Sequence, residues 1–359
     1  VVTLSKSDPA RELLILGPEG RFSNEVIIPL VRRARSAVAP VENVKKGMEK
    51  VGFENGPIRF LPGSEWLFVR ISTAPEFADA LLVNSLGPII ESLRRDHVAN
   101  EWFFIRYSDP DFQIRLRIRG NPTALLSEAL PRLHSVTSIL VDRGLVTKVL
   151  YDTYDREMQR YGGPDGIEIC ESIFGIDSDA TLELIALTPG DEGAVARWQL
   201  TLCGIDALLR DAGLDLEKRY SFADRMAGSY AREFNLLGSA KRPIQEKFRA
   251  ERSALFKLLE DSKHGTSSLE LGIEILRRRS TRLAPEFAEL SKRDEGGNLS
   301  TPLSEILSSL IHMHTNRMMP TSARAHEAIL YRFLSNLYDS KLARAGRLKR
   351  DRQGMAAPE

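Results

Sequence analysis

The stretch "FQIRLRIR", residues 112–119, sets Arg115, Arg117 and Arg119 at alternate positions, with Ile114, Leu116 and Ile118 between them. Side chains alternate faces along a strand, so the three guanidinium groups share one face and the aliphatics the other. Upstream, "SDPD" is a turn and "EWFFIRY" (101–107) an aromatic-rich strand. Before it, "PEFADALLVNSLGPIIESLRRD" (75–96) has helical spacing through Phe77, Leu81 and Leu82, with a kink or break expected at Gly87-Pro88. "WLFVRIS" (66–72) reads as a strand. Downstream, "NPTALLSEALPRLHSVTSILVDRG" (121–144) is a helix with an Asn cap, Pro at its first position and Gly at its end, followed by the strand "LVTKVLYDTY" (145–154). The order β-α-β-β-α-β is that of a ferredoxin-like split βαβ unit. In it the first and third strands are inner, and the arginine strand is the third.

Strand signals thin out after residue 154. Helices are expected near 155–161, 164–174, 178–187, 191–213, 217–235, 241–262, 267–295, 301–318 and 321–343, with "KRDEGGNLSTP" (292–302) as a loop. The fold class is therefore α+β: a ferredoxin-like βαββαβ sheet followed by a large, mostly helical C-terminal half. Residues 1–63 divide into short strands, "ELLILG" and "EVIIPLV", around the turn-rich "PEGRFSN", then a linker from 36 to 63. The main unit is expected over 64–343, and 344–359 as a disordered basic tail.

Composition narrows the functions. A hydrophobic share of 42% and a charged share of 28% describe a soluble globular chain, and a formal charge of +1 supplies no global field for nucleic acid or membrane. The two cysteines, Cys170 and Cys203, make no CxxC or Cys/His cluster, so the reading is a protein of a reducing cytoplasm, with no zinc site. No apolar run reaches the ~18 residues of a membrane span. The first residues, "VVTLSKSDPA", have no initiator Met and read as part of a longer chain.

Three constellations carry chemistry. The arginine row is either the wet face of an antiparallel strand or, if the helical half covers it, a row of buried cations needing acidic partners or an anionic ligand. In "YDREMQRYGG" (154–163), Glu157 and Arg160 lie three apart on one helical face, and Gly162-Gly163-Pro164 stop the turn. By itself this is a surface ion pair of small value; following the fourth strand, it stands where Arg160 could join the cation cluster. In "LIHMHTNRMM" (310–319), His312 and Asn316 share a face, whereas His312 and His314 are about 200° apart around the axis and make poor co-ligands of one metal. A hydrogen-bonded core histidine is the bland reading. Proton transfer near neutral pH is the functional one. No P-loop, GxSxG or HExxH pattern is present.

Taken in order, "WFFIRY", "DPDFQIRLRIRG", ExxRYGG and HMHxNR resemble the C-terminal domain of class I lantibiotic dehydratases, which also occurs alone in thiopeptide biosynthesis. The resemblance spans roughly residues 64–340, and "GPEGRFSNEVIIPLVRR" (17–33) looks like the end of the family's upstream glutamylation domain. It implies elimination of glutamate from glutamylated Ser or Thr of a precursor peptide, leaving dehydroalanine or dehydrobutyrine. Arg115 and Arg117 fall on the family's Arg-x-Arg, Glu157 and Arg160 on its Glu-x-x-Arg, and His312 on its elimination histidine. Arg119, Tyr161, Asn316 and Arg317 are expected at the substrate, with Asn316 orienting His312. Gln113-Ile114 replaces the His-Leu that often precedes Arg-x-Arg. No cofactor is implied for this domain, glutamyl-tRNA being used by a glutamylation domain, fused or separate. The implied partners are that domain and a precursor peptide with its leader; a cyclase partner and a homodimer are left open. Two rival readings remain: a stand-alone pyridine synthase that joins two dehydroalanines, and a non-catalytic module that binds a peptide at its sheet edge.

Overall fold

A computed structural model describes residues 14–17, 20–23, 57–109, 111–236, 241–260 and 268–354, and the chain divides into two units, 1–54 and 55–359. In the first unit, strands β1 (Leu14–Gly17) and β2 (Gly20–Ser23) form an antiparallel hairpin, with Leu14 opposite Ser23 and Gly17 opposite Gly20. The second strand is therefore "GRFS", inside the stretch expected to turn; "EVIIPLV" lies outside the described residues.

The second unit is α+β and holds a four-stranded antiparallel sheet of β4 (Trp66–Thr73), β5 (Ala99–Tyr107), β6 (Gln113–Gly120) and β7 (Val146–Asp152), in the order β5-β6-β4-β7. The arginine strand β6 and strand β4 are inner, as expected. Both connections on the sheet are helical. Helices α1 (Pro75–Leu81) and α2 (Gly87–Arg95) are joined by a π turn at Leu82–Leu86, and α3 (Pro122–Ala124) and α4 (Leu130–Asp142) by a π turn at Leu125–Ala129. Each π turn ends just before a proline, Pro88 or Pro131. Proline has no N–H to give to the fourth residue back and its ring crowds that carbonyl; widening the preceding turn lets the helix continue. The break expected at Gly87-Pro88 is thus a π turn within a continuous helical rod. These helices bury Leu67, Val69, Ile71, Ile114, Leu116 and Ile118, the aliphatic face of the sheet.

The helical half begins with the two-stranded sheet of β3 (Arg59–Phe60) and β8 (Tyr154–Asp155), a 3-10 turn at Met158–Tyr161, and helix α5 (Pro164–Leu187). Phe60, expected in a linker, is buried in the main core. Two short helices were expected over 164–187, and the structure has one. Gly175 is not a break: a Cβ there would sit 3.0 Å from the Trp102 carbonyl, so the glycine lets the helix lie close on β5. Helices α6 (Gly190–Asp211), α7 (Leu216–Glu233), α8 (Lys241–Glu260), α9 (Ser268–Glu295), α10 (Leu303–Met318) and α11 (Ala323–Gly354) complete the half. Helix α11 runs well into the stretch expected as a disordered tail. An apolar cluster from Phe174 and Ile205 to Phe333 and Tyr338 forms its core and reaches Trp66, Phe68 and Phe103 on the second face of the sheet. Among the described residues no helix is long and apolar enough to cross a membrane.

Candidate functional site: a caged arginine and a histidine pair

The β4–β6 register places Trp66, Phe68 and Arg70 opposite Arg119, Arg117 and Arg115. All six lie on the face turned to the helical half, and the three arginines meet different fates there. Arg119 is half-buried between Glu101 at 3.5 Å and Glu65 at 3.7 Å. Arg115 is half-buried with its guanidinium 3.4 Å from the centre of the Tyr107 ring. Its neighbour Arg70 donates to Gln113 Oε1 at 2.7 Å and to Asp152 Oδ2 at 2.9 Å. The Gln113 side-chain carbonyl oxygen is thereby committed to Arg70.

Arg117 is different. It is only 8% exposed, and its guanidinium lies among three rings: Phe68 at 4.3 Å, Tyr154 at 4.7 Å and Phe103 at 5.2 Å. Its Nε and Nη1 are buried without a hydrogen-bond partner. Burial pulls its pKa down to about 10, and the charge on Arg115 adds to the fall. The rings supply cation–π attraction but no hydrogen-bond acceptor in the guanidinium plane. This is a buried cation with its donors unspent, the arrangement that a carboxylate completes.

One wall of the cage is held from behind. Tyr154 donates from its hydroxyl to Glu171 Oε1 at 2.6 Å, and Arg156 reaches the same carboxylate with Nε at 2.8 Å and Nη2 at 2.6 Å. Burial, then Glu171, push the Tyr154 phenol well above its ordinary pKa, so it stays a neutral donor. Sequence reasoning passed over this trio. The signal was the second of two acids, Glu168 and Glu171, in the otherwise apolar run "GIEICESIF".

Glu157 links the sheet to the helices. Its charge acts on Arg117, and its Oε2 accepts from Arg160 Nη1 at 3.1 Å. Arg160 also donates from Nε to Ser309 Oγ on α10 at 3.1 Å. Three residues on, on the same face of that helix, His312 sets Nδ1 2.6 Å from Glu327 Oε2 of α11. Gly162 and Gly163, at φ of +84° and +78°, turn the chain from the 3-10 turn into α5; a Cβ on Gly162 would meet Ile306 of α10 at 2.9 Å. The double glycine is what lets α10 approach the Glu157–Arg160 turn. Arg324, one helical turn before Glu327, bonds both oxygens of Glu233.

The structure thus links Arg115 and Arg117, on one face of β6, through Glu157 and Arg160 to Ser309 of α10, the helix that carries His312 one turn further on. It places three other expected residues elsewhere. Tyr161 is buried, edge-on to Phe174 with centroids 5.0 Å apart, as part of the core. Asn316 accepts from the Arg106 N–H and donates to the Arg106 carbonyl, both at 2.8 Å, and so closes the free edge of β5. Its amide is spent there, and Glu327, not Asn316, is the group that holds His312. Arg317 donates to the Phe104 carbonyl and to Asp177 Oδ2, both at 2.9 Å. Asp177 also binds Arg279, and His314 Nδ1 at 2.9 Å, in a fully buried network. Arg119 stays beside the Arg117 cage but already has two acids.

Such a site can receive a group with a carboxylate at Arg117, offer a second anion position at Arg115 and Arg160, and move a proton through an imidazole. A family model described as "Lantibiotic biosynthesis dehydratase C-term" matches residues 66–338. The chain is 25% identical over 325 residues to the subtilin biosynthesis protein SpaB of Bacillus subtilis, a match covering 88% of this chain and 29% of SpaB. It is 27% identical over 175 residues to the nisin biosynthesis protein NisB of Lactococcus lactis subsp. lactis, covering 48% of this chain and 16% of NisB. The chain spans less than a third of the length of these relatives. Among solved structures, the tRNA-dependent lantibiotic dehydratase MibB from Microbispora sp. 107891 superposes with a TM-score of 0.62 at 21% identity, over 81% of this chain and 29% of MibB. The pyridine synthase TbtD from thiomuracin biosynthesis superposes at 0.53 with 13% identity, over 77% of this chain and 99% of TbtD. The fold is shared with the two solved structures, and the match over 66–338 carries the assignment: the chain belongs to the lantibiotic biosynthesis dehydratase C-terminal family.

Proposed function

We propose that this chain eliminates glutamate from glutamylated Ser or Thr side chains of a ribosomal precursor peptide, acting as a lyase that leaves dehydroalanine or dehydrobutyrine. The observation that carries the reading is Arg117: a buried guanidinium, caged by rings, with two donor nitrogens unspent. In the elimination, a base takes the Cα proton of the modified residue. The electrons of that bond form the Cα–Cβ double bond, and the Cβ–O bond breaks to release glutamate as a carboxylate. Arg115, Arg117 and Arg160 hold the glutamyl group and take up its developing charge. His312 moves the proton. Glu157 steers Arg160, to which it is bonded.

With this reading go a glutamylation unit that uses glutamyl-tRNA, fused or separate, and a precursor peptide with its leader. A cytoplasmic location, a homodimer and a cyclase partner are compatible with it. The strand order and the two helical connections support the ferredoxin-like description of the sheet. The test is incubation with a synthetic peptide carrying a glutamylated serine. Loss of glutamate by mass, abolished by Arg117→Ala and His312→Ala, is the expected result. Turnover unchanged in both variants refutes the assignment. A nitrogen ring formed from a bis-dehydroalanine peptide means a pyridine synthase instead, and binding without turnover a peptide-binding module.

A further inference from the structure

His312 is held by a carboxylate that stability alone does not account for. Glu327 is fully buried, its Oε2 lies 2.6 Å from His312 Nδ1, and its Oε1 makes no hydrogen bond. Arg324, whose charge interacts with Glu327, bonds only Glu233 and stands over the Tyr230 ring at 5.3 Å, and the Tyr230 hydroxyl lies close enough to Glu327 to be raised by it. Burying a carboxylate with so little compensation is costly, and an apolar or amide side chain would serve packing better. Helices α10 and α11 already share the main apolar core, to which Leu307, Leu310, Ile311, Leu330 and Leu334 belong. The negative charge is felt nearby: burial first, and then Glu327, raise the phenols of Tyr230 and Tyr331.

We infer that Glu327 is a positioning residue for the reaction, which fixes the His312 ring with its proton on Nδ1 and the lone pair of Nε2 turned to the substrate. An ionised carboxylate only accepts hydrogen bonds, so the contact requires a proton on Nδ1. The neutral ring then carries its basic lone pair on Nε2. Nδ1 is taken up by a fully buried carboxylate, while the His312 side chain keeps 19% of its surface accessible. Ser309, on the same face of α10 one turn earlier, is held by Arg160, so His312 shares a helix face with a residue tied to the Glu157–Arg160 turn. When Nε2 takes the Cα proton, the imidazolium forms against Glu327. The charged and titratable groups around the pair are Glu327, Arg324 and Tyr331 of α11, Tyr230 and Glu233 of α7, and Glu157 and Arg160 of the 3-10 turn. Glu327 is the one bonded to the ring.

This inference rests on the elimination reading for its catalytic half, and the ring state tests it independently. In the full 359-residue chain labelled with 15N-histidine, His312 is assigned by difference with His312→Asn. The expected wild-type signal is an Nδ1–H neutral ring. In Glu327→Gln, whose amide offers a donor to Nδ1, the Nε2–H form rises to half or more. The same variant lowers kcat for glutamate loss about 100-fold, with KM changed less than about threefold. Glu327→Asp, which keeps an acceptor-only group, restores the Nδ1–H ring and most of kcat. A wild-type tautomer in Glu327→Gln, or an unchanged kcat, overturns the inference. If the wild-type chain releases no glutamate, the elimination reading falls; if His312→Asn eliminates glutamate at the wild-type rate, the role of His312 in it falls; the tautomer shift is read apart from both.

Discussion

Phe68 and Arg117 are register partners of β4 and β6, and the guanidinium of one lies 4.3 Å from the ring centre of the other. A cation packed on a phenyl ring and left without an acid favours ligand capture over stability. Lowering the guanidinium pKa from its ordinary high value to about 10 corresponds to about 3 kcal/mol against the charged form. The three rings offset part of that. Arg117→Met is therefore expected to raise stability by about 1–2 kcal/mol in urea unfolding while removing glutamate elimination. The sign with pH follows. Arg117 is charged in both folded and unfolded chains below pH 10, so the penalty is full at neutrality. It fades as pH rises through the folded value of about 10 towards the ordinary guanidinium range, where the unfolded chain holds the extra proton. The gap between variant and wild type should narrow above pH 10, and a variant less stable than wild type at pH 7 contradicts the account.

Glu171 is expected to control the cage without touching a substrate. It accepts from both Tyr154 and Arg156. Glu171→Gln leaves Arg156 buried beside an amide, and losing one member of a buried ion pair costs about 3–5 kcal/mol. Glu171→Gln paired with Arg156→Met should recover a good part of that loss. A double-mutant cycle in urea measures it, and additive costs would mean the two side chains act separately.

Much of this arrangement was legible in sequence, because it rests on period-two alternation. "FQIRLRIR" sets three arginines on one face, and the β-α-β-β-α-β order makes that strand an inner one. What could not be read depends on how helices cross. His312 and Asn316 share a helical face, yet one reaches α11 and the other the edge of β5, since a turn of helix carries them past different neighbours. Glu327 was visible only as the acid of an incomplete HExxH. The gap left between the expected helices 164–174 and 178–187 holds Gly175, and sequence does not show that β5 would press on it. The differing fates of the three arginines also depend on acids brought in by other strands.

Gly162 tests the contact between the 3-10 turn and α10. Gly162→Ala puts a Cβ at a φ of +84° and 2.9 Å from Ile306 Cδ1. The left-handed conformation costs about 1–2 kcal/mol for a residue with a Cβ, and α10 has to shift. Because Arg160 reaches Ser309 across this contact, kcat for elimination should fall about 10-fold or more, a geometric loss of the kind small misplacements produce. Ile306→Ala removes the collision and, in the double variant, should recover part of kcat. No recovery would mean that the backbone strain alone is responsible.

The buried network beneath the site makes the fold acid-sensitive in a defined way. Burial lowers the pKa of His314 from its ordinary 6.5 despite Asp177 beside it, so the folded chain keeps the ring neutral. The unfolded chain takes up that proton as pH falls below about 6.5, and stability is lost from there downward. Burial on its own would raise the Asp177 carboxyl, but His314, Arg279 and Arg317 hold it far below the usual carboxylate range. Below about pH 4 the unfolded chain therefore gains a second proton that the folded one refuses. Each such proton is worth about 1.4 kcal/mol per pH unit where its difference is complete. His314→Gln removes the first term. Between pH 6.5 and 5, the urea-unfolding free energy of wild type should fall more steeply than that of the variant, by up to about 1 kcal/mol per unit. Parallel lines over that range would show that the folded chain protonates His314 as readily as the unfolded one, and the neutral ring would have to be abandoned.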